Sequence, residues 1–128
     1  MSYQVTTTPY ENYVYVSITG TWPTDKPEII LDEIYSKWAK HQKYDLLVNI
    51  SKLQTDQSII NDYYTDKIFE NVGFQSIRLI AVFDDPARKK INAFLEKAAQ
   101  NRGLQIRFFY ESEQEATDWL YQQSKILD

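Results

Sequence analysis

The stretch Arg78-Leu79-Ile80-Ala81-Val82-Phe83 is apolar at five of its six positions and is closed by Asp84-Asp85-Pro86. A run that is apolar on both faces suits a strand covered on both sides, as in a parallel sheet, so it is predicted as the central strand. Upstream, Tyr3 to Thr8 and Tyr13 to Thr19 are rich in Thr, Val and Tyr and alternate with period two. That pattern predicts an antiparallel hairpin joined by Pro9-Tyr10-Glu11-Asn12. In its second strand Val14, Val16 and Ile18 share a core face, and Tyr13, Tyr15 and Ser17 share an aromatic, polar-edged one.

Between and beyond these strands the period changes to that of helices. Gly20 and Pro23 break the second strand, and Thr24 or Asp25 can cap a helix opened by Lys26 or Pro27. Ile30, Ile34 and Trp38, widened by Leu31 and Tyr35, form its apolar stripe. Leu46 to Ile50 is a short buried strand, Ser51 to Gln57 a polar loop, and from Ser58 a second helix carries Ile60, Tyr64, Ile68 and Val72, with a stop at Asn71 to Gly73. Asp85 caps a third helix with Pro86 in its first position, a buried stripe of Ile91, Phe94, Leu95 and Ala98, and Gly103 at its end. Leu104 to Tyr110 is the fifth strand, and Ser112-Glu113-Gln114-Glu115 has the capping-box spacing that opens a last helix through Ala116, Trp119, Leu120 and Gln123. The order β, β, α, β, α, β, α, β, α predicts an α/β fold. It has a five-stranded, mostly parallel sheet with an antiparallel N-terminal strand, and four helices.

Composition narrows the class. A chain of 128 residues fits one domain, residues 1–128, with a core large enough to need no staples. The absence of cysteine removes disulfides and Cys-ligated metals and makes the cytoplasm the expected compartment. No apolar run approaches the roughly 20 residues that span a bilayer, so no membrane span is expected. Fourteen basic against eighteen acidic residues give a net charge of -4, which speaks against nucleic acid as a partner. Ten tyrosines point to contact surfaces.

The element order from Tyr13 to Leu120 resembles the STAS-type, SpoIIAA-like family of anti-sigma-factor antagonists and the related ligand-binding architecture, a β-α superhelix. The ending Arg107-Phe108-Phe109-Tyr110, followed by Glu113, Glu115, Ala116, Trp119 and Leu120, is similar to the close of an uncharacterised SpoIIAA-like branch. The resemblance implies a small non-enzymatic domain that binds a partner protein or, in relatives, a small or lipidic ligand, and that uses no cofactor. In the antagonists a serine at the start of the helix after the third-strand loop, within Asp-Ser-Ser-Gly, is the phosphorylatable switch. This chain has Ser51-Lys52-Leu53-Gln54-Thr55-Asp56-Gln57-Ser58 there, so the motif is absent and Ser58 is the nearest positional match.

Candidate chemistry follows from these placements. The lone histidine, His41, has no evident acid or base partner, and Asp84 with Asp85 reads more simply as a turn and a cap than as a metal pocket. Arg88, Lys89 and Lys90 occupy the first turn of the third helix, where the macrodipole disfavours cations by roughly 0.3 to 1 kcal/mol each. Either Asp84 and Asp85 offset that charge or the turn is a docking patch. Loops at the carboxyl ends of parallel strands are where open α/β sheets bind, so the expected partner or ligand surface joins Ser51, Lys52, Thr55, Asp56 and Ser58 to Asp84, Asp85, Arg88, Lys89 and Lys90. Tyr13, Tyr15 and Phe109 form a second candidate interface, suited to a homodimer or another partner if no helix covers them. The alternative function is a carrier with a pocket for a small apolar ligand lined by Tyr63, Tyr64, Phe69 and Phe94.

Overall fold

A computed structural model describes residues 3–22, 28–54 and 72–127. Tyr3–Pro9 (β1) and Tyr13–Thr21 (β2) form the expected hairpin, with Tyr3 opposite Gly20 and Pro9 opposite Val14. The turn is closed by the Tyr10 N–H, which donates to the Tyr13 carbonyl at 2.8 Å. Asp45–Asn49 (β3) lies parallel to β2; Leu79–Phe83 (β5) lies parallel to β3, and Ile106–Phe109 (β6) parallel to β5. The order across the sheet is β1-β2-β3-β5-β6.

Three details of the sheet differ from the sequence reading, one being that Gly20 lies within β2 instead of breaking it. The middle strand is β3, buried at all five positions, and β5 stands one place further out. Both runs are apolar on both faces, and such a pattern reports coverage without ranking position. A sixth strand, Leu53–Gln54 (β4), pairs in parallel with the end of β2 inside the supposed polar loop. Leu53 is the reason: this apolar residue is buried, and its burial draws the loop onto the sheet, where the Trp22 N–H donates to the Gln54 carbonyl at 2.9 Å.

Helix Glu28–Ala39 (α1) buries Ile30, Leu31, Ile34 and Trp38 as its stripe requires, and the Trp38 indole donates to the Asp45 carbonyl at 3.1 Å. Of the second predicted helix, the part from Ser58 lies outside the described residues, and a single turn, Val72–Gln75 (α2), is described. Gly73 lies within that turn instead of stopping a helix. A Cβ there would stand 2.7 Å from the Tyr35 ring, so glycine serves the close approach of α2 to α1.

Pro86–Arg88 is a 3-10 turn capped by Asp85, whose carboxylate accepts from the Ala87 N–H at 2.8 Å, and Lys89–Asn101 (α3) continues from it. α3 buries Asn92, Leu95 and Ala99, while Phe94 is 61% exposed. The predicted stripe counted apolar residues only, and the buried line runs instead through Asn92, Leu95 and Ala99, its first position held by a polar residue that an apolar pattern does not register. Helix Glu113–Leu127 (α4) buries Ala116, Leu120 and Ser124, and the Ser112 hydroxyl accepts from the Glu115 N–H at 3.3 Å, the serine half of the capping box. The line of burial thus passes through Ser124 and not Gln123.

The sheet carries a core on each face. One contains Val14, Val16, Ile18, Leu46 and Val48 with Ile30, Ile34 and Trp38 of α1 and Ala99 of α3. The other contains Leu47, Leu79, Ala81 and Phe109 beneath Ala116 and Leu120 of α4. No helix among the described residues is long and apolar enough to cross a membrane.

Candidate functional site

The carboxyl ends of β3 and β5 are tied together by one charged cluster. β5 delivers Asp84 into the interior, where it is 1% exposed, and its N–H donates to the Phe109 carbonyl at 3.0 Å. One carboxylate oxygen, Oδ1, accepts from the Asp85 N–H at 2.7 Å, from Arg88 Nε at 2.8 Å and from Arg88 Nη2. The other, Oδ2, accepts from Asn92 Nδ2 at 2.7 Å. Arg88 and Asn92, four apart, lie on one side of the helical stretch, and Asp84, just before its cap, faces them.

Arg88 also reaches across to the other loop. Its Nη1 donates to the Leu53 carbonyl at 3.0 Å and its Nη2 to the Ile50 carbonyl at 2.8 Å. Only a planar fork with several fixed donors can serve a carboxylate and two carbonyls at once, so a lysine here would leave acceptors unmet. The guanidinium therefore clamps the loop after β3 to the loop after β5. Asp84, Arg88 and Asn92 face an apolar cavity of about 60 Å³, walled among the described residues by Trp22, Leu31, Ile34, Phe74, Leu95 and Ile106.

A second polar link lies on the opposite face of the sheet. Asn49 Oδ1 accepts from the Ser51 N–H at 3.0 Å and the Ser51 hydroxyl at 2.7 Å, and Asn49 Nδ2 donates to the Tyr15 hydroxyl at 3.1 Å. Burial raises the Tyr15 phenol above its ordinary pKa, and the Glu113 carboxylate raises it further. Asn49 thus ties Tyr15 of β2 to the loop after β3. Tyr110 is pushed up to about 12, first by burial, while the neighbouring Asn92 amide pulls the other way.

The predicted surface is partly assembled. Ser51 is half-buried and held by Asn49, Lys52 is exposed, and Asp85 is the exposed cap. Lys89 and Lys90 are exposed at the start of α3, with the Lys89 ammonium 5.7 Å from the Tyr110 ring centroid. Thr55, Asp56 and Ser58 lie outside the described residues. Two residues of the set belong to the interior instead: Asp84 is fully buried, and the Arg88 side chain is 16% exposed with its donors turned inward. Their i, i+4 spacing was visible in the sequence as a signal for an ion pair, but the position of Arg88 in a basic run hid it. Asn92 and Asn49 carried no signal that an apolar or charge pattern registers.

The aromatic face is covered. α4 packs over it, Phe109 is 8% exposed and lies 5.9 Å from the Trp119 ring, and Tyr13 and Tyr15 are half-buried at its margin. It is inter-layer packing where an open interface was one expectation, because the helix after β6 returns over this side of the sheet. Of the expected carrier pocket, Tyr63, Tyr64 and Phe69 lie outside the described residues and Phe94 faces solvent. Among the described residues no three His, Asp or Glu side chains converge as a metal site would require.

No protein-family model and no curated protein matches this chain. Solved structures do. An anti-sigma factor antagonist from Mycobacterium paratuberculosis superposes with a TM-score of 0.55 at 14% identity, over 91% of this chain and 92% of that one. An uncharacterised protein with a SpoIIAA-like fold from Shewanella loihica gives 0.55 at 14% identity, over 92% and 93%. The chain thus has a SpoIIAA-like α/β fold, and at this identity the likeness is one of fold alone.

Proposed function

We propose that this chain is a non-catalytic regulatory domain that binds a partner protein, in the manner suggested by the name of its anti-sigma factor antagonist neighbour. The partner meets the carboxyl-end surface formed by the loops after β3 and β5. One observation carries the reading: Arg88 locks those two loops into a single surface, with Lys52, Asp85, Lys89 and Lys90 exposed on it. A preformed surface loses less conformational entropy on association than two independent loops, which is the advantage a recognition site needs. The two exposed lysines at the start of α3 match an acidic patch on the partner. The Asp-Ser-Ser-Gly motif is missing, so control by phosphorylation at Ser58 is not part of the proposal; the domain acts in the cytoplasm without a cofactor.

A small apolar ligand is the second reading, favoured by the cavity beside Asp84. Its volume of about 60 Å³ argues against it in this conformation. That space corresponds to roughly two waters at about 30 Å³ each, whereas drug-sized ligands occupy pockets of about 300 Å³ or more.

The test replaces Lys89→Glu and Lys90→Glu together and leaves Arg88 intact. Parent and variant are used to capture partners from host lysate at low and high salt. Contacts between exposed charges are screened beyond about 8 Å at physiological ionic strength, so the parent should lose its partner at high salt and the variant should fail at both. Identical recovery by both proteins at both salts removes the lysines from any binding role.

A further inference from the structure

The opposite end of the sheet holds a cavity that the proposed partner surface does not involve. It measures about 250 Å³ and lies between the β1–β2 turn, the start of β3 and the second half of α4. Its wall includes Tyr10, Glu11, Tyr13, Asp45, Tyr121 and Ser124, and none of its described wall residues is Lys, Arg or His. From this combination of phenol rings and carboxylates, with Arg78 engaged by Asp45 and Lys125 by the Tyr121 ring, we infer that the cavity binds a small organic ammonium compound.

The local structure explains why the rings are available. The hydrogen bond closing the turn fixes Tyr10 beside Tyr13, and their rings stack at 5.0 Å between centroids with 20° between planes. Tyr10 nevertheless remains 49% exposed, so its ring is presented at the mouth and not consumed by the core. Burial raises the Tyr13 phenol above its ordinary pKa, with Tyr10 and Glu113 adding to the shift, so the ring stays neutral and keeps its electron-rich face. Tyr13 and Asp45 are direct partners across the parallel β2–β3 ladder, which sets the ring beside the carboxylate.

Charge accounting then assigns the roles. Asp45 is buried and held by Arg78 through two 3.0 Å bonds, from Nε to Oδ1 and from Nη2 to Oδ2, so its charge is largely matched. Glu11, exposed on the turn, is left to meet the ligand's charge, with the ring faces providing the rest. Ser124 lies in the last turn of α4, where the free carbonyls carry the negative end of the helix dipole and favour a cation. The Lys125 ammonium sits 4.4 Å from the centroid of the Tyr121 ring, so that ring already holds a cation and the ligand's charge falls to Tyr10, Tyr13 and Glu11. The size suits a compound of a few carbons, below the range of drug-sized ligands.

The experiment titrates the full chain with choline and, separately, with 3,3-dimethylbutan-1-ol, its uncharged isostere, following backbone amide shifts by NMR. Saturable shifts confined to Tyr10–Tyr13, Asp45 and Thr117–Ser124 are expected with choline, and binding of the isostere should be weaker by about tenfold or more. Tyr10→Ala and Glu11→Gln should each weaken choline by about threefold to tenfold while leaving the remaining spectrum in place, since both side chains are exposed. Equal binding of choline and its isostere would overturn cation recognition. So would shifts located elsewhere, or no saturation up to tens of millimolar choline. The Lys89/Lys90 variant should bind choline normally, so failure at one end of the sheet is distinguishable from failure at the other.

Discussion

Arg88→Ala is the substitution that most directly interrogates the clamp. It removes one donor each from the carbonyls of Ile50 and Leu53 and leaves the buried Asp84 with only the Asp85 N–H and Asn92 as donors. Breaking a buried ion pair by deleting one partner costs about 3 to 5 kcal/mol because a charge is left uncompensated. The 16% exposure of the Arg88 side chain lets water reach part of the gap, so about 2 to 4 kcal/mol is expected. With a urea dependence near 2 kcal/mol per molar for a domain of this size, the unfolding midpoint should fall by about 1 to 2 M. Arg88→Lys keeps the charge without the fork and should recover only part of the loss. Amide exchange over Ile50 to Gln54 should accelerate in both variants, since that loop is what the guanidinium holds. Lys90→Ala is the control and should lie within about 0.5 kcal/mol of the parent. An Arg88→Ala midpoint indistinguishable from that of Lys90→Ala would refute the clamp.

Gly73→Ala should lower stability by about 1 to 3 kcal/mol, because its Cβ meets the Tyr35 ring at 2.7 Å; adding Tyr35→Ala should remove most of the mutation's incremental cost in a double-mutant cycle by urea unfolding. Ser112→Ala should cost about 0.5 to 1 kcal/mol by the same measurement, at the low end for a cap since the bond is 3.3 Å and exposed. Alkaline titration should show destabilisation above pH 10: the Tyr110 pKa is raised from 10.0 to about 12, so the folded state keeps a proton that the unfolded state has released. That stabilising contribution is complete below pH 10 and is lost as pH rises through about 12, which circular dichroism at fixed urea will follow alongside tyrosinate absorbance; constant stability from pH 9 to 12 would exclude it.

Which parts of this molecule could be read from sequence depended on whether the determining force was periodic. The hairpin, α1 and the Asp85-Pro86 start were legible because alternation, a four-residue stripe and a proline in the first turn are local patterns with local causes. β4 was not, since a two-residue strand has no period and depends on where the end of β2 lies. Phe94 was misplaced because the buried line of α3 starts at the polar Asn92, which a count of apolar residues passes over. The fate of Tyr13, Tyr15 and Phe109 was settled by which side of the sheet α4 packs on, and because α4 follows the last strand no strand-to-strand crossover fixes that side in advance.

The basic turn shows how the two kinds of information combine. Three consecutive cations at a helix start are unfavourable by the dipole argument, and the sequence offered two resolutions, nearby aspartates or an acidic partner. The structure applies the first of these to Arg88 alone. Arg88 turns inward, where Asp84 matches its charge and the loop carbonyls take its remaining donors, so its cost at the helix start is offset within the fold. Lys89 and Lys90 point outward beside it, on a surface whose shape Arg88 maintains. Replacing all three by glutamate would therefore confound two effects, since a carboxylate at position 88 would face the buried Asp84 and unfold the surface it was meant to probe. Separating the inward residue from the outward pair is what makes a binding experiment at this end of the sheet interpretable.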